Sequence, residues 1–166
     1  MGIFLAIPIL SIATILQSAV ISRITLLQGT ADIVLLIVIA WALQKNVKTG
    51  WQWGLIGGLL VDFISGLPFG IYTIGYLLVT GLTLALQARI WRLAVLVQLF
   101  ATFVGTILIH ALSILVLVIR GTSLPLQDVL QTIVLPSLIL NLFLAIPVYS
   151  IIRELAGLVY PEEIEI

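Results

Sequence analysis

Few residues of this chain could do chemistry, and Asp62 and His110 stand out because each lies in a long apolar stretch. His110 is the only histidine, and the chain has no cysteine. A histidine without cysteine or carboxylate at ligand spacing is a poor metal ligand set, so we expect no metal and no cofactor. A proton relay through His110 would need a carboxylate partner, for which the sequence offers only Asp62 or Asp32. We expect a hydrogen-bonded interior histidine instead.

Sequence motifs of catalysis are missing as well. The chain contains no GxSxG, HExxH, Walker A or GxGxxG pattern. Its loops are too short for a substrate-binding domain. We therefore expect a protein that is not an enzyme.

Glycines surround Asp62 at a regular spacing. Gly50, Gly54, Gly58, Asp62 and Gly66 recur every four residues, which places them on one face of a helix. The GxxxG pair within this series allows another helix to approach closely. We expect this face to be a helix-packing or partner interface formed by Gly54, Gly57, Gly58, Asp62, Gly66, Pro68 and Gly70.

Asp62 itself has two possible roles. It could bind a polar ligand, a proton or a partner protein, because a carboxylate inside a membrane is costly and often functional. It could instead cap a neighbouring helix or fix the turn from Gly66 to Gly70. The second role is favoured because glycine and proline near Asp62 expose backbone donors that need acceptors.

Other polar side chains also recur at helical spacing, and we expect them to face the interior of a bundle and to form interhelical hydrogen bonds. Asp32 is expected at the start of a helix, where a carboxylate complements the helix dipole. Pro136 and Pro147 should kink the last helix and free carbonyls, which Asn141 could satisfy. The intramembrane polar set is Gln17, Asp32, Gln98, Thr102, Thr106, His110, Ser137 and Asn141.

The composition defines the elements that position these residues. Hydrophobic residues make up 62% of the 166 positions and charged residues only 8%, against about 25% charged in a typical soluble domain. Lipid must therefore face most of the surface. Formal net charge is zero, which gives no reason to expect a nucleic acid partner. We predict an all-α integral membrane protein with one polytopic domain over residues 1–155 and an acidic tail over 156–166.

Charges and turn residues divide the chain into six apolar segments, which predict a bundle of about six transmembrane helices. The second segment is the weakest, because its clean apolar part from Ile33 to Leu43 is short for a bilayer. If it is re-entrant, five spans remain. The segments lie at about 3–21, 27–43, 51–65, 71–88, 93–119 and 129–152.

Six spans place both termini on one side, together with most of the basic residues. The positive-inside rule makes that side cytoplasmic. Tryptophans at helix ends beside the same loops support this boundary, because indole favours the membrane interface. The basic residues on the cytoplasmic side are Lys45, Lys48, Arg89, Arg92 and Arg153, those opposite are Arg23 and Arg120, and the tryptophans are Trp41, Trp51, Trp53 and Trp91.

The stretch from Gly54 to Gly70, GLIGGLLVDFISGLPFG, resembles the glycine-rich third helix of the MreD family of bacterial rod shape-determining membrane proteins. Gln17, Asp32 and the ending from Leu135 to Val148 are similar to that family in order and spacing. The resemblance covers about residues 3–155. It implies a multi-pass protein of the bacterial inner membrane with a scaffold role in cell elongation, which is peptidoglycan synthesis that sets cell shape.

The resemblance also implies partners and an architecture. The partners would be an MreC-like membrane protein, a RodA-type glycosyltransferase with its transpeptidase and, indirectly, the MreB filament. The architecture would be that of the substrate-binding subunits of energy-coupling-factor transporters. Two alternatives follow: a small-molecule-binding subunit of a vitamin-type transporter, and a proton-coupled carrier built on Asp62 and His110. A charged vitamin would want counter-ions that the interior lacks.

Overall fold

The fold is a helical bundle, seen in a computed structural model that describes residues 2–19, 25–45, 47–90 and 93–160. No strand occurs in these ranges, so the all-α prediction is confirmed for them. Arg23, Trp91, Arg92 and the tail residues 161–166 lie outside the described residues. The helices are α1 (Gly2–Ala19), α2 (Ile33–Ala42), α3 (Gly50–Ile64), α4 (Ile71–Ile90), α5 (Ala94–Ile119), α6 (Leu126–Val129) and α7 (Leu135–Val159), and a π-helical turn (Leu130–Val134) joins α6 to α7.

Four stretches of described helix are long and apolar enough to cross a bilayer. They are Gly2–Ala19, Ile71–Arg89, Ala94–Ile119 and the continuous rod Leu126–Val159. At 1.5 Å per residue, the 26 residues of α5 extend about 39 Å, which exceeds a hydrocarbon core of about 30 Å and favours tilt. These helices expose large apolar side chains such as Phe4, Ile119 and Phe143, as a surface in contact with lipid requires.

The second segment differs from its prediction as a helix over residues 27–43. Only Ile33–Ala42 is helical, and these 10 residues extend about 15 Å, half of the hydrocarbon core. Residues 25–32 are non-helical and contain a tight turn closed between Leu26 and Gly29. The segment is therefore not a full spanning helix. The helix coincides with the clean apolar part of the segment, whereas the residues before it include Gln28, Gly29, Thr30 and Asp32.

The short helix α2 forms the centre of the bundle. Every residue from Val34 to Ala42 is buried, and α2 packs against α1, α3, α4, α5 and α7. A helix that is apolar on all sides is stable only where other helices surround it. The longer helices therefore form a wall around α2.

The glycine face of α3 packs inside the chain, mainly against α4. A Cβ added at Gly58 would lie 2.5 Å from the Cα of Thr73, and one at Gly54 would lie 3.1 Å from the Cβ of Thr80. Gly57 points instead at α2, where an added Cβ would meet Val38 at 3.0 Å. The predicted close approach thus joins α3 to its own sequence neighbours, and these three glycines are buried.

An aromatic cluster closes one end of the bundle. The rings of Trp41 and Trp53 stack with centroids 4.0 Å apart, and Tyr160 lies 6.3 Å from Trp41. The Trp53 indole N–H donates to the carbonyl of Gly2 over 2.9 Å, and that of Trp41 donates to the Thr49 hydroxyl over 3.1 Å. The start of α1, the start of α3 and the end of α7 therefore meet here.

This cluster corrects the interpretation of the tryptophans as interface anchors. Trp41 and Trp53 are 0% exposed, so their rings contact protein and not lipid. Their N–H groups find acceptors within the chain, which removes the reason for them to stay near water. Trp51 is exposed, and its position at the membrane interface stays a prediction.

The same end of the bundle carries most of the described basic side chains. The Gln87 amide donates to the carbonyl of Gln44 over 3.0 Å, which places the end of α4 beside the α2–α3 loop. Lys45, Lys48 and Arg89 thus lie at this end. Arg120 follows the last residue of α5. α5 runs antiparallel to α4, as shown by the contacts of Gly75 with Ile109 and of Gly105 with Val79. Arg120 therefore lies at the opposite end of the bundle from Lys45, Lys48 and Arg89, as the sequence predicts.

The Gly58 contact predicts the effect of a single methyl group. Gly58→Ala should lower the free energy of unfolding by about 1–3 kcal/mol, because its Cβ overlaps the backbone of α4. Gly81→Ala is the matched control, since an added Cβ there meets nothing within 4 Å. Unfolding in detergent by titration with a denaturing detergent measures both. Equal stability of the two variants would show that α3 and α4 are not in close contact.

Candidate functional site

Asp62 caps the start of α4 from the neighbouring helix. One carboxylate oxygen, Oδ2, accepts the backbone N–H groups of Gly70 (3.0 Å) and Thr73 (2.9 Å) and the Thr73 hydroxyl (2.5 Å). The other, Oδ1, accepts the N–H of Tyr72 over 3.0 Å. The first N–H groups of any helix lack partners within it. Asp62, which is 4% exposed, supplies these partners from α3.

The turn between α3 and α4 explains the residues predicted beside Asp62. Gly70 has a φ of +103°, a conformation that glycine adopts without a steric penalty. The Ser65 hydroxyl accepts the N–H of Leu67 over 3.1 Å and so fixes the turn before Pro68. Gly66 is exposed, and an added Cβ there would meet nothing within 4 Å. Asp62 therefore serves this turn and helix start, as the favoured interpretation predicts.

Asp32 caps α2 and belongs to a second polar cluster. Its Oδ1 accepts the N–H of Leu35 over 3.1 Å and the hydroxyl of Tyr76 over 2.6 Å. The backbone N–H of Val34, also in the first turn of α2, donates to Gln17 Oε1 of α1 over 3.1 Å. Side chains from α1 and α4 thus meet at the start of the central helix.

The non-helical stretch before α2, residues 25–32, docks along the π turn and α7. Here three alternate N–H groups all find acceptors on the one neighbouring helical rod. Gln28 donates to the Thr132 carbonyl (3.0 Å), Thr30 to the Ser137 hydroxyl (3.0 Å) and Asp32 to Asn141 Oδ1 (2.7 Å).

Gly29 allows this docking because its backbone lies against the helix. An added Cβ would lie 2.5 Å from the backbone nitrogen of Ser137 and 2.7 Å from the Cβ of Pro136. Its own N–H donates to the carbonyl of Leu26 over 2.9 Å. A residue with a side chain would push the stretch away from α7.

Pro136 leaves one carbonyl free to accept a hydrogen bond from the non-helical stretch before α2. Proline has no N–H, so the carbonyl four residues earlier, that of Thr132, loses its helical donor. Gln28 provides the missing N–H. The sequence suggested Asn141 for this role, but Asn141 accepts from Asp32 and donates to Thr106 Oγ1 over 2.9 Å. The acceptor is satisfied by a residue more than a hundred positions earlier, which local spacing does not reveal.

The polar stripe of α5 faces inward from Gln98 to Thr106. Gln98 and Thr102 are 0% exposed and Thr106 is 2% exposed. The Gln98 amide N–H lies 3.4 Å from the carbonyl of Leu36 in α2, a long hydrogen bond. Gln98 Oε1 and Thr102 Oγ1 have no hydrogen-bond partner among the described residues.

The polar residues of α1, α5 and α7 converge on a cavity of about 60 Å³ at the start of α2. His110 and Asp32 both line it, whereas Asp62 does not. His110 thus shares a cavity with Asp32, the other of its two possible partners, and not with Asp62. The lining residues are Gln17, Thr30, Ala31, Asp32, Leu35, Tyr72, Thr106, Ile109, His110 and Asn141.

Sequence reasoning missed several members of this site. Tyr76 and Tyr72 come from α4, and Thr30 comes from the non-helical stretch. The two tyrosines are four residues apart in an apolar helix, which places their hydroxyls on one face and was a usable signal. Gln28 and Thr30 act through backbone N–H groups, which the identity of the side chain does not reveal.

These features define a polytopic α-helical membrane protein whose polar side chains bind its own backbone. A family model described as rod shape-determining protein MreD matches residues 1–159. The chain belongs to the MreD family, a family of shape-determining membrane proteins that is not known as an enzyme family. No curated protein and no solved structure matches it.

The Asp62 cap predicts a large effect of a nearly isosteric change. Asp62→Asn replaces one acceptor oxygen with an N–H₂ donor that faces the N–H groups of α4. We expect a loss of about 2–4 kcal/mol in the free energy of unfolding, since hydrogen bonds to a carboxylate are strong and the donors stay buried. Unfolding in detergent measures it. Asp128→Asn, at an exposed position of α6, should change stability by less than about 0.5 kcal/mol.

The close contact of Gly29 with α7 provides a test of how firmly the non-helical stretch before α2 is held. Gly29→Ala should destabilise the protein by about 1–3 kcal/mol and raise hydrogen exchange at the N–H groups of Gln28 and Thr30, because the added Cβ displaces the stretch from α7. Gly66→Ala adds the same methyl group where nothing lies within 4 Å. Unchanged exchange in Gly29→Ala would contradict the docking described above.

Proposed function

We propose that the chain is a non-catalytic scaffold subunit of the bacterial cell-elongation complex and that it binds an MreC-like membrane protein. Membership of the MreD family over residues 1–159 supports the setting. The observation that supports the proposal is that the interior carboxylates bind backbone N–H groups of the chain itself. Asp62 accepts four hydrogen bonds and Asp32 caps α2, so the costliest polar groups stabilise the fold.

The glycine face is unsuited to be the partner surface in this bundle. Gly54 and Gly58 already pack on α4, with no space for a further helix. A partner within the membrane would meet the exposed apolar side chains of the outer helices instead. Phe4 of α1 and Phe143 of α7 are 78% and 77% exposed and lie on different helices.

The proposed setting is the bacterial inner membrane with both termini in the cytoplasm. Lys45, Lys48 and Arg89 at one end of the bundle support this orientation through the positive-inside rule. The indirect partners would be a RodA-type glycosyltransferase with its transpeptidase in the membrane and the MreB filament at the basic end.

The vitamin-type transporter subunit is the weaker alternative. Ligand pockets for molecules of that size enclose about 300–1,000 Å³, whereas the cavity beside Asp32 encloses about 60 Å³. The likeness to energy-coupling-factor subunits stays a hypothesis about architecture. The carrier hypothesis is weakened as well, because the cavity that His110 lines does not reach Asp62.

Co-purification tests the scaffold proposal. The tagged full chain, extracted from its host membrane, should retain an MreC-like protein at near-equal amounts. A photo-crosslinking residue in place of Phe4 or Phe143 should capture that partner from at least one of these two exposed positions. Gly58→Ala should reduce recovery only in proportion to the loss of folded protein.

The opposite results are equally clear. A folded chain that retains no MreC-like protein would refute the scaffold proposal. If Gly58→Ala loses the partner while its folded fraction is unchanged, the partner contacts the glycine face of α3.

A further inference from the structure

The cavity beside Asp32 combines a carboxylate with several neutral polar groups. Its walls come from six parts of the chain: α1, the non-helical stretch before α2, α2 itself, α4, α5 and α7. The side chains that bring oxygen to it are Gln17, Thr30, Asp32, Tyr72, Thr106 and Asn141. Oxygen ligands of this kind suit hard cations.

Asp32 is the only acidic side chain among the residues that line the cavity. Leu35 N–H and Tyr76 O–H donate to the Asp32 carboxylate, and the Gln17 amide lies within hydrogen-bonding reach of it. These donors are neutral, and the start of α2 adds only about half a positive charge. No lysine or arginine lines the cavity. His110 also lines the cavity and could carry a positive charge. A carboxylate inside a bundle surrounded by lipid is costly unless hydrogen bonds, protonation or a positive charge compensate it.

The size of the cavity restricts what could bring that charge. A volume of about 60 Å³ admits an ion with a few waters, since one water needs about 10–15 Å³ by this measure. A single carboxylate matches a single charge. No cluster of three His, Cys, Asp or Glu side chains exists among the described residues, and a divalent ion would keep a net positive charge beside the one carboxylate.

We propose that this cavity binds one small monovalent cation, such as Na⁺, with Asp32 as the charged ligand. The cation stabilises the meeting point of α1, α2, α4, α5 and α7 by compensating the carboxylate. This role is independent of the scaffold function, because it concerns the interior of the bundle and not its partner surface.

Thermal unfolding of the purified full chain in detergent tests the proposal, with fluorescence of the buried Trp41–Trp53 pair as the signal. NaCl is compared with N-methyl-D-glucamine chloride, whose cation is too large for the cavity, at equal ionic strength. The wild type should gain about 3–6 °C in Tm at a Na⁺ concentration of about ten times its Kd. Binding of ²²Na⁺ should saturate at one ion per chain.

Two variants and a control assign the effect to Asp32. Asp32→Asn should lose both the Na⁺-dependent rise in Tm and the ²²Na⁺ binding, whereas Asp128→Asn, at an exposed acid of α6, should keep both. His110→Lys puts a covalent cation on the cavity wall and should abolish ²²Na⁺ binding while its Tm without Na⁺ matches or exceeds that of the wild type. If Asp32→Asn does not fold, His110→Lys carries the assignment.

Three results would overturn the proposal. They are an equal wild-type Tm in both salts, no saturable ²²Na⁺ binding to the wild type, or Na⁺ binding that persists in both Asp32→Asn and His110→Lys.

Discussion

In a bilayer core no water is available for backbone N–H and C=O groups, so each must find a partner within the protein. The central helix of this bundle makes that constraint severe. α2 has 10 residues, and the non-helical stretch of residues 25–32 leads into it through the interior. Its alternate N–H groups are accepted by Thr132, Ser137 and Asn141. Non-helical backbone is tolerated here because another part of the chain is shaped to receive it.

The same constraint accounts for features that look like defects when taken singly. Pro136 leaves the Thr132 carbonyl without a helical donor, and this carbonyl then accepts a hydrogen bond from the stretch before α2. Gly29 lacks a side chain, and the stretch can then touch α7. Asp62 is a buried carboxylate, and the start of α4 needs an acceptor. Each irregularity in one segment is matched by a need in another, so the irregularities are stable as pairs.

The sequence predicts the features that depend on local pattern. Hydropathy locates the long helices, the spacing of Gly54 and Gly58 predicts a close helix contact, and the position of Asp32 predicts a cap. The features that it does not predict depend on distant partners. Residues 27–32 are non-helical, and the acceptors for their N–H groups lie on the π turn and α7, more than a hundred positions later in the chain. Trp41 and Trp53 resemble interface anchors until their N–H groups are seen to bind Thr49 and Gly2.

This internal use of polar groups also determines how the protein can meet others. The glycine face and Asp62 are occupied within the chain, so the outer surface presents mainly large apolar side chains. Between lipid and apolar helix there is little hydrophobic driving force, and association within a membrane depends on close packing and shape. A scaffold of this kind would recognise a partner helix by surface shape. Rigidity of the bundle then matters for binding, because a surface that is recognised by shape must keep its shape.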